Sequence, residues 1–238
     1  MVEIKKTSHL RFKIRMSSAI LEVIVCSVAD AIEAQRGCAQ RLEVVRDLDR
    51  GGLTPSVELV RAISGAVDLS LRVMVRESEG YGVSGETEQL CIAAAEFSKL
   101  GVDGLELGFL KGSQIDLEST ARVLAAAPNL KATFHRAFED AADQLKAVSE
   151  LKKLPQVNRI LSSGGSGTLP EKCARLDAYA QAAAPEIKII AGGGIDREAI
   201  ELLKRTTAIR EFHVGRAARE RFQVNGAVQA ELVRGLIL

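Results

Sequence analysis

Ile187-Lys188-Ile189-Ile190-Ala191-Gly192-Gly193-Gly194 is a short apolar run that breaks into glycine, and residues 196–205 beyond it carry helical spacing. A buried strand, a tight turn and a helix therefore follow one another. Six segments of the same kind precede this one: residues 21–27, 41–46, 71–76, 104–108, 133–136 and 159–165. One more follows it, Glu211-Phe212-His213-Val214-Gly215-Arg216. Eight strand-then-helix units in 238 residues predict a single (β/α)8 TIM barrel, a fold of typically about 250 residues. A barrel collects its site in one place, the loops that follow the strands.

The helices carry their own punctuation. Thr54-Pro55 reads as a capping hydroxyl before a proline at the first helical position, and predicts a helix to about Ile63. Gly85 or Glu86 opens the next, with Leu90, Ala94, Phe97 and Leu100 on one face and Gly101 closing it. Residues 115–127, 140–154, 169–183, 196–205 and 226–238 repeat the pattern, with Pro128 and Pro185 as stops. The barrel domain is expected over residues 19–238. Residues 1–18 read as a basic extension, flexible or covering the barrel floor, and Met16 competes with Met1 as the true start.

Composition excludes several classes. The net charge is +1, aromatics make up 4% and tryptophan is absent, so a basic, base-stacking nucleic-acid surface is not expected. No apolar run approaches the roughly 18 residues of a membrane span. Four cysteines without CxxC spacing point to free thiols in a reducing compartment.

Parallel barrel strands usually read as near-continuous apolar runs. Here they are interrupted at alternate positions: Glu22 with Ile24 and Cys26; Glu43 with Val45; Arg72 with Met74 and Arg76; Glu106 with Gly108; Thr133 with His135; Glu211 with His213. If these sets face the axis, the interior holds charges that must pair with one another or serve a site.

His135-Arg136 at the end of the fifth strand is the leading catalytic pair: a histidine for proton transfer near neutrality, an arginine for a carboxylate or enolate. The competing reading of His135 is a hydrogen-bonded core histidine. Glu22, Glu43, Arg76 and His213 complete the candidate catalytic set. Gly193 and Gly194 after the seventh strand, and Gly215 and Arg216 after the eighth, stand where barrels often bind phosphate. Ser163 and Gly164 after the sixth strand would add donors. The alternative is glycine required only by tight turns. Neither glycine spacing fits a dinucleotide fingerprint or a P-loop, so no nucleotide cofactor is expected. Lys188 stands at the entering end of its strand, which weakens a Schiff-base reading. Together these residues suggest a lyase or isomerase using acid–base chemistry on a small phosphorylated or carboxylated anion.

Several segments are similar, in order and spacing, to the CutC family, named for copper homeostasis. They are Leu21-Glu22-Val23 with Ser27, Arg41-Leu42-Glu43, Gly51-Gly52-Leu53-Thr54-Pro55-Ser56, Val73-Met74-Val75-Arg76 and Thr133-Phe134-His135-Arg136-Ala137-Phe138-Glu139. Ser162-Ser163-Gly164-Gly165, Ala191-Gly192-Gly193-Gly194 and Glu211-Phe212-His213 complete the resemblance over about residues 20–215. It implies a cytoplasmic TIM barrel, usually a homodimer, with a role in copper handling. The chain departs from the family where Val45, Ile24 and Val25 replace cysteines, and where Arg76-Glu77-Ser78-Glu79-Gly80 and Val214-Gly215-Arg216-Ala217 remodel the site mouth. Copper(I) favours soft ligands. Cys26 is the one well-placed thiol, with Met74 and the histidines as candidate neighbours; Cys38 lies at the opposite end, and Cys91 and Cys173 sit in helices.

Overall fold

The computed structural model describes residues 19–83 and 85–237; the predicted basic extension and both candidate starts lie outside them. Eight parallel strands close into a barrel. They are β1 (Ile20–Val25), β2 (Arg41–Val44), β3 (Ser70–Met74), β4 (Gly104–Leu107), β5 (Lys131–Phe134), β6 (Val157–Ser162), β7 (Lys188–Ala191) and β8 (Glu211–Val214). Closure is made by β8 on β1, in register from Ile20↔Glu211 to Val23↔Val214.

Helices α1 (Val28–Arg36), α2 (Val57–Ser64), α3 (Thr87–Lys99) and α4 (Leu117–Ala125) cover the first half. Helices α5 (Gln144–Leu151), α6 (Leu169–Ala183), α7 (Arg197–Thr206) and α8 (Ala230–Ile237) cover the second. Among the described residues no helix is long and apolar enough to cross a membrane.

The apolar core is the shell between strands and helices, not the barrel axis. Leu21, Val23, Val25, Leu42, Val44, Leu105, Leu107, Phe134 and Phe212 point outward from their strands and are fully buried. They meet helix residues such as Ala31, Val60, Phe97, Val123 and Leu203. Fully burying one such aliphatic or aromatic side chain contributes about 1.5–3 kcal/mol. The alternate strand positions face inward, and there the polar and charged residues lie buried: Glu22, Glu43, Arg72, Glu106, Thr133, Glu211 and His213.

Three helix boundaries differ from expectation, the final helix among them, which begins at Ala230 and not at residue 226. Helix α2 is capped by Ser56, whose side chain accepts from Leu59 N–H, so Thr54-Pro55 precedes the helix. Thr54 is diverted to β3: its hydroxyl donates to Arg76 C=O and accepts from Arg76 N–H, both at 2.9 Å. The predicted 140–154 helix starts later, at Gln144, because residues 136–140 form a 3-10 turn. A short antiparallel hairpin, Leu110–Lys111 with Gln114–Ile115, was not foreseen.

Helix α4 opens on Asp116, which accepts from Ser119 N–H at 2.9 Å and Ser119 Oγ at 2.7 Å. Asp116→Ala should lower stability by about 1 kcal/mol, the usual value of an N-cap, as read by chemical denaturation.

Candidate functional site

The floor of the barrel is an ion-pair ladder. The Arg41 guanidinium bonds Glu22 through Nε and Glu211 through Nη2, the latter at 2.8 Å. Arg159 donates to both oxygens of Glu211, at 2.6 and 3.2 Å, and Lys188 Nζ lies 3.6 Å from the same carboxylate. Burial alone would raise the Glu22 carboxyl, yet Arg41 and His213 hold it below the usual carboxylate range. Arg41 and Arg159 were missed as interior residues in the sequence. Counting back by twos from Glu43 and Leu161 finds them.

His213 stands above this ladder between two carboxylates. Its Nδ1 lies 2.8 Å from Glu22 Oε1 and its Nε2 3.3 Å from Glu43 Oε2. Burial disfavours charge on the imidazole, but Glu43 and Glu22 outweigh it and raise His213. Burial also pushes Glu43 up, to about 7, against the pull of His213. The protonation of each group therefore depends on the other, which suits general acid–base chemistry.

The β3–β5 side is different in kind. Arg76 is anchored by Thr54, and its Nη2 donates to Arg50 C=O at 3.0 Å. A Cβ at Gly51, whose φ is +85°, would come 2.8 Å from that Nη2, so the glycine leaves room for the guanidinium. The Tyr81 ring lies 5.6 Å from the Arg76 guanidinium and 5.3 Å from the His135 ring. His135 Nδ1 accepts from Ala137 N–H at 3.2 Å. Burial, with Arg76 beside it, lowers His135 to about 3, so the imidazole stays neutral rather than exchanging protons near pH 7.

His135 and Arg136 reach different partners. Arg136 turns away and holds Glu139 through Nε and Nη2, at 3.1 and 2.8 Å. Buried Arg72 Nε, Arg76 Nε, His135 Nε2 and both oxygens of Glu106 have no hydrogen-bond partner among the described residues. Burial raises the Glu106 carboxyl well above its ordinary range. Glu106 is an interior residue that strand alternation marks and that lies outside the candidate catalytic set.

A cavity of about 450 Å³ opens at the C-terminal mouth. Its wall includes Arg136, Gly193, Gly194, His213, Gly215 and Arg216. Among the described residues the N–H groups of Gly193 and Gly194 donate to no protein acceptor, and the Arg216 guanidinium has no ion pair. The expected donors after β6 are spent instead. Ser163 N–H bonds the Glu139 carboxylate, and Gly164 N–H bonds Ser162 Oγ at 3.0 Å. Ser163 and Gly164 therefore brace the turn and do not face an anion with free N–H groups.

Cys26 lies at the top of β1 with its Sγ 3.7 Å from Arg219 Nη2. Burial, with Asp30 and Glu43 nearby, pushes the thiol up to about 11 despite Arg219. Cys38 is exposed at the floor, and Cys91 and Cys173 belong to α3 and α6. Among the described residues no group of three or more His, Cys, Asp or Glu side chains is arranged to hold a metal ion. One protonated thiol beside a guanidinium does not fit Cu(I), which needs thiolate and a second soft donor.

A sequence model of the CutC family matches residues 19–218. The chain is 34% identical over 196 residues to a CutC family protein of Xanthomonas axonopodis pv. citri, covering 81% of each. It is 32% identical over 197 residues to the human copper homeostasis protein cutC homolog, covering 82% of this chain and 72% of that one. The crystal structure of CutC from Streptococcus agalactiae superposes with a TM-score of 0.77 at 26% identity, covering 83% of this chain and 98% of the other.

Proposed function

The chain belongs to the CutC family, and on that premise we propose that it serves copper homeostasis by binding a small anion at the barrel mouth, without holding Cu(I) on Cys26. The copper role rests on the names of its relatives. The anion rests on one observation: unpaired Arg216 and the free Gly193 and Gly194 N–H groups share a cavity with His213. Those groups suit a phosphate or carboxylate. His213, seated between Glu22 and Glu43, supports a second reading on the same ligand, acid–base chemistry of the lyase or isomerase kind. Glu22 serves there as the residue that orients His213, since it is already tied to Arg41. A cytoplasmic homodimer is the setting that accompanies this reading, on the free thiols and the family resemblance.

Two titrations test it. Cu(I), added to the reduced protein against a competing chelator, should bind weakly and equally in wild type and Cys26→Ser. Tight one-to-one binding lost in Cys26→Ser would overturn the proposal and place copper at the top of β1. Inorganic phosphate should bind the wild type and bind Arg216→Ala about tenfold more weakly, the effect of one charge-assisted contact. Equal phosphate affinity in the two would remove the anion site from this mouth.

A further inference from the structure

Two of the unpartnered donors on the β3–β5 side, those of Arg76 and His135, together describe a missing oxygen. His135 Nδ1 accepts from Ala137 N–H, so the neutral ring carries its proton on Nε2, where it is a donor with no acceptor. Arg76 Nε–H is likewise a buried donor with no acceptor. Both residues are more than nine-tenths buried. Native proteins rarely leave such groups unmade, and the exceptions cluster where something else binds.

Register brings them to one level of the barrel. Met74 lies opposite Glu106, and Glu106 opposite Thr133. Arg76 and His135 are each two residues further along their strands, and the strand between them presents Gly108 at that height. A Cβ at Gly108 would come 2.6 Å from His135 Nδ1, so the missing side chain is what admits the ring. Tyr81 closes over both residues. Below them Glu106 is wholly buried, with Thr133 beside it, and burial raises its carboxyl well above the usual range, which favours the neutral acid.

We propose that His135 Nε2–H and Arg76 Nε–H form a donor pair for a carbonyl or planar carboxylate oxygen of the bound ligand. The ligand is then a small anion that carries such an oxygen in addition to the group held near Arg216. This rests on the anion reading above. It gives His135 an electrophilic, oxygen-binding role in place of proton transfer, and leaves proton movement to His213 and Glu43. A neutral imidazole held in one tautomer is suited to polarising a carbonyl.

The test uses the full chain, labelled with ¹⁵N at histidine, with oxalate as the probe. Three results are expected. The His135 ring shows the Nε2–H tautomer and stays neutral through the ordinary histidine range near about pH 6.5. Oxalate shifts its Nε2–H resonance. Affinity for oxalate falls about tenfold in Arg76→Met and in His135→Phe, and less in His135→Gln, which keeps a donor at that position. A proton on Nδ1, no oxalate binding by the wild type, or oxalate binding without change at His135 would each overturn the proposal. The last would mean that an ordinary buried water satisfies the pair. The wild-type spectra stand even if the Arg76 variant fails to fold. Phosphate binding that depends on Arg216 while oxalate leaves His135 untouched would retain the anion site and reject only the donor pair.

Discussion

Arg41→Met should lower the unfolding free energy by about 3 kcal/mol, because it leaves buried Glu22 with His213 alone and takes from Glu211 one of its cations. Arg41 is the shared partner of Glu22 and Glu211, and all three side chains are at least 95% buried. Against a total of about 5–15 kcal/mol for a domain, this is severe. The pH dependence carries the diagnosis. Glu22 and Glu211 are depressed in the folded wild type, burial being outweighed by their arginines. Their contribution is full above the ordinary carboxylate pKa of about 4.3 and is lost only as pH falls below it. In Arg41→Met the same burial acts on Glu22 with its main counter-charge gone, so acid relieves the variant. Urea denaturation at neutral pH and at about pH 4 should show the gap between variant and wild type narrowing on acidification. A gap that stays constant or widens would mean that the ladder contributes through packing alone.

A comparable loss, about 3 kcal/mol, is expected for Asp30→Ala, and here the site mouth should loosen as well. One oxygen of Asp30 accepts from Cys26 N–H at 3.1 Å and from Arg219 Nη2 at 3.2 Å; the other accepts from Val228 N–H at 3.1 Å. Arg219 in turn donates to Ile24 C=O at 3.0 Å and Gly226 C=O at 2.7 Å. These two buried residues therefore tie the segment after β8 to the top of β1. That segment supplies Arg216, Phe222 and Val224 to the cavity wall. Hydrogen exchange over residues 215–229 should accelerate in Asp30→Ala, and Asp30→Ala with Arg219→Met should recover part of the stability by removing the orphaned charge. Unchanged exchange in the single variant would show that the segment is held by other contacts.

All eight strands were legible from short apolar runs ending in glycine or polar residues, because a buried parallel strand leaves that signature whatever surrounds it. The inward face was legible too: alternation from Glu22, Arg72, Glu106 and Glu211 marks a charged interior. How those charges divide was not. Glu211 could be paired with Arg159 only by knowing that two strands distant in sequence stand on one side of the floor. His135 and Arg136 looked like a unit because they are neighbours in the chain, yet consecutive residues at a strand end point to different places. Ser163 and Gly164 read as free donors in the sequence, because nothing there shows that the Glu139 carboxylate and Ser162 Oγ take their N–H groups. Thr54-Pro55 resembled a helix start because its bonds to Arg76 depend on a strand more than twenty residues later.

The floor ladder also bears on how this sequence drifts. Glu22, Arg41, Arg159 and Glu211 lie on four strands, and each neutralises another in a floor largely closed to water. Any one replaced alone leaves a lineage with a destabilised barrel, while all four replaced by apolar residues of similar volume would leave a sound one. Intermediates between those two floors are disfavoured. Descendants of a common ancestor should therefore carry the quartet whole or an oily plug whole, and the floor should change in a block while the glycine loops above it vary one residue at a time.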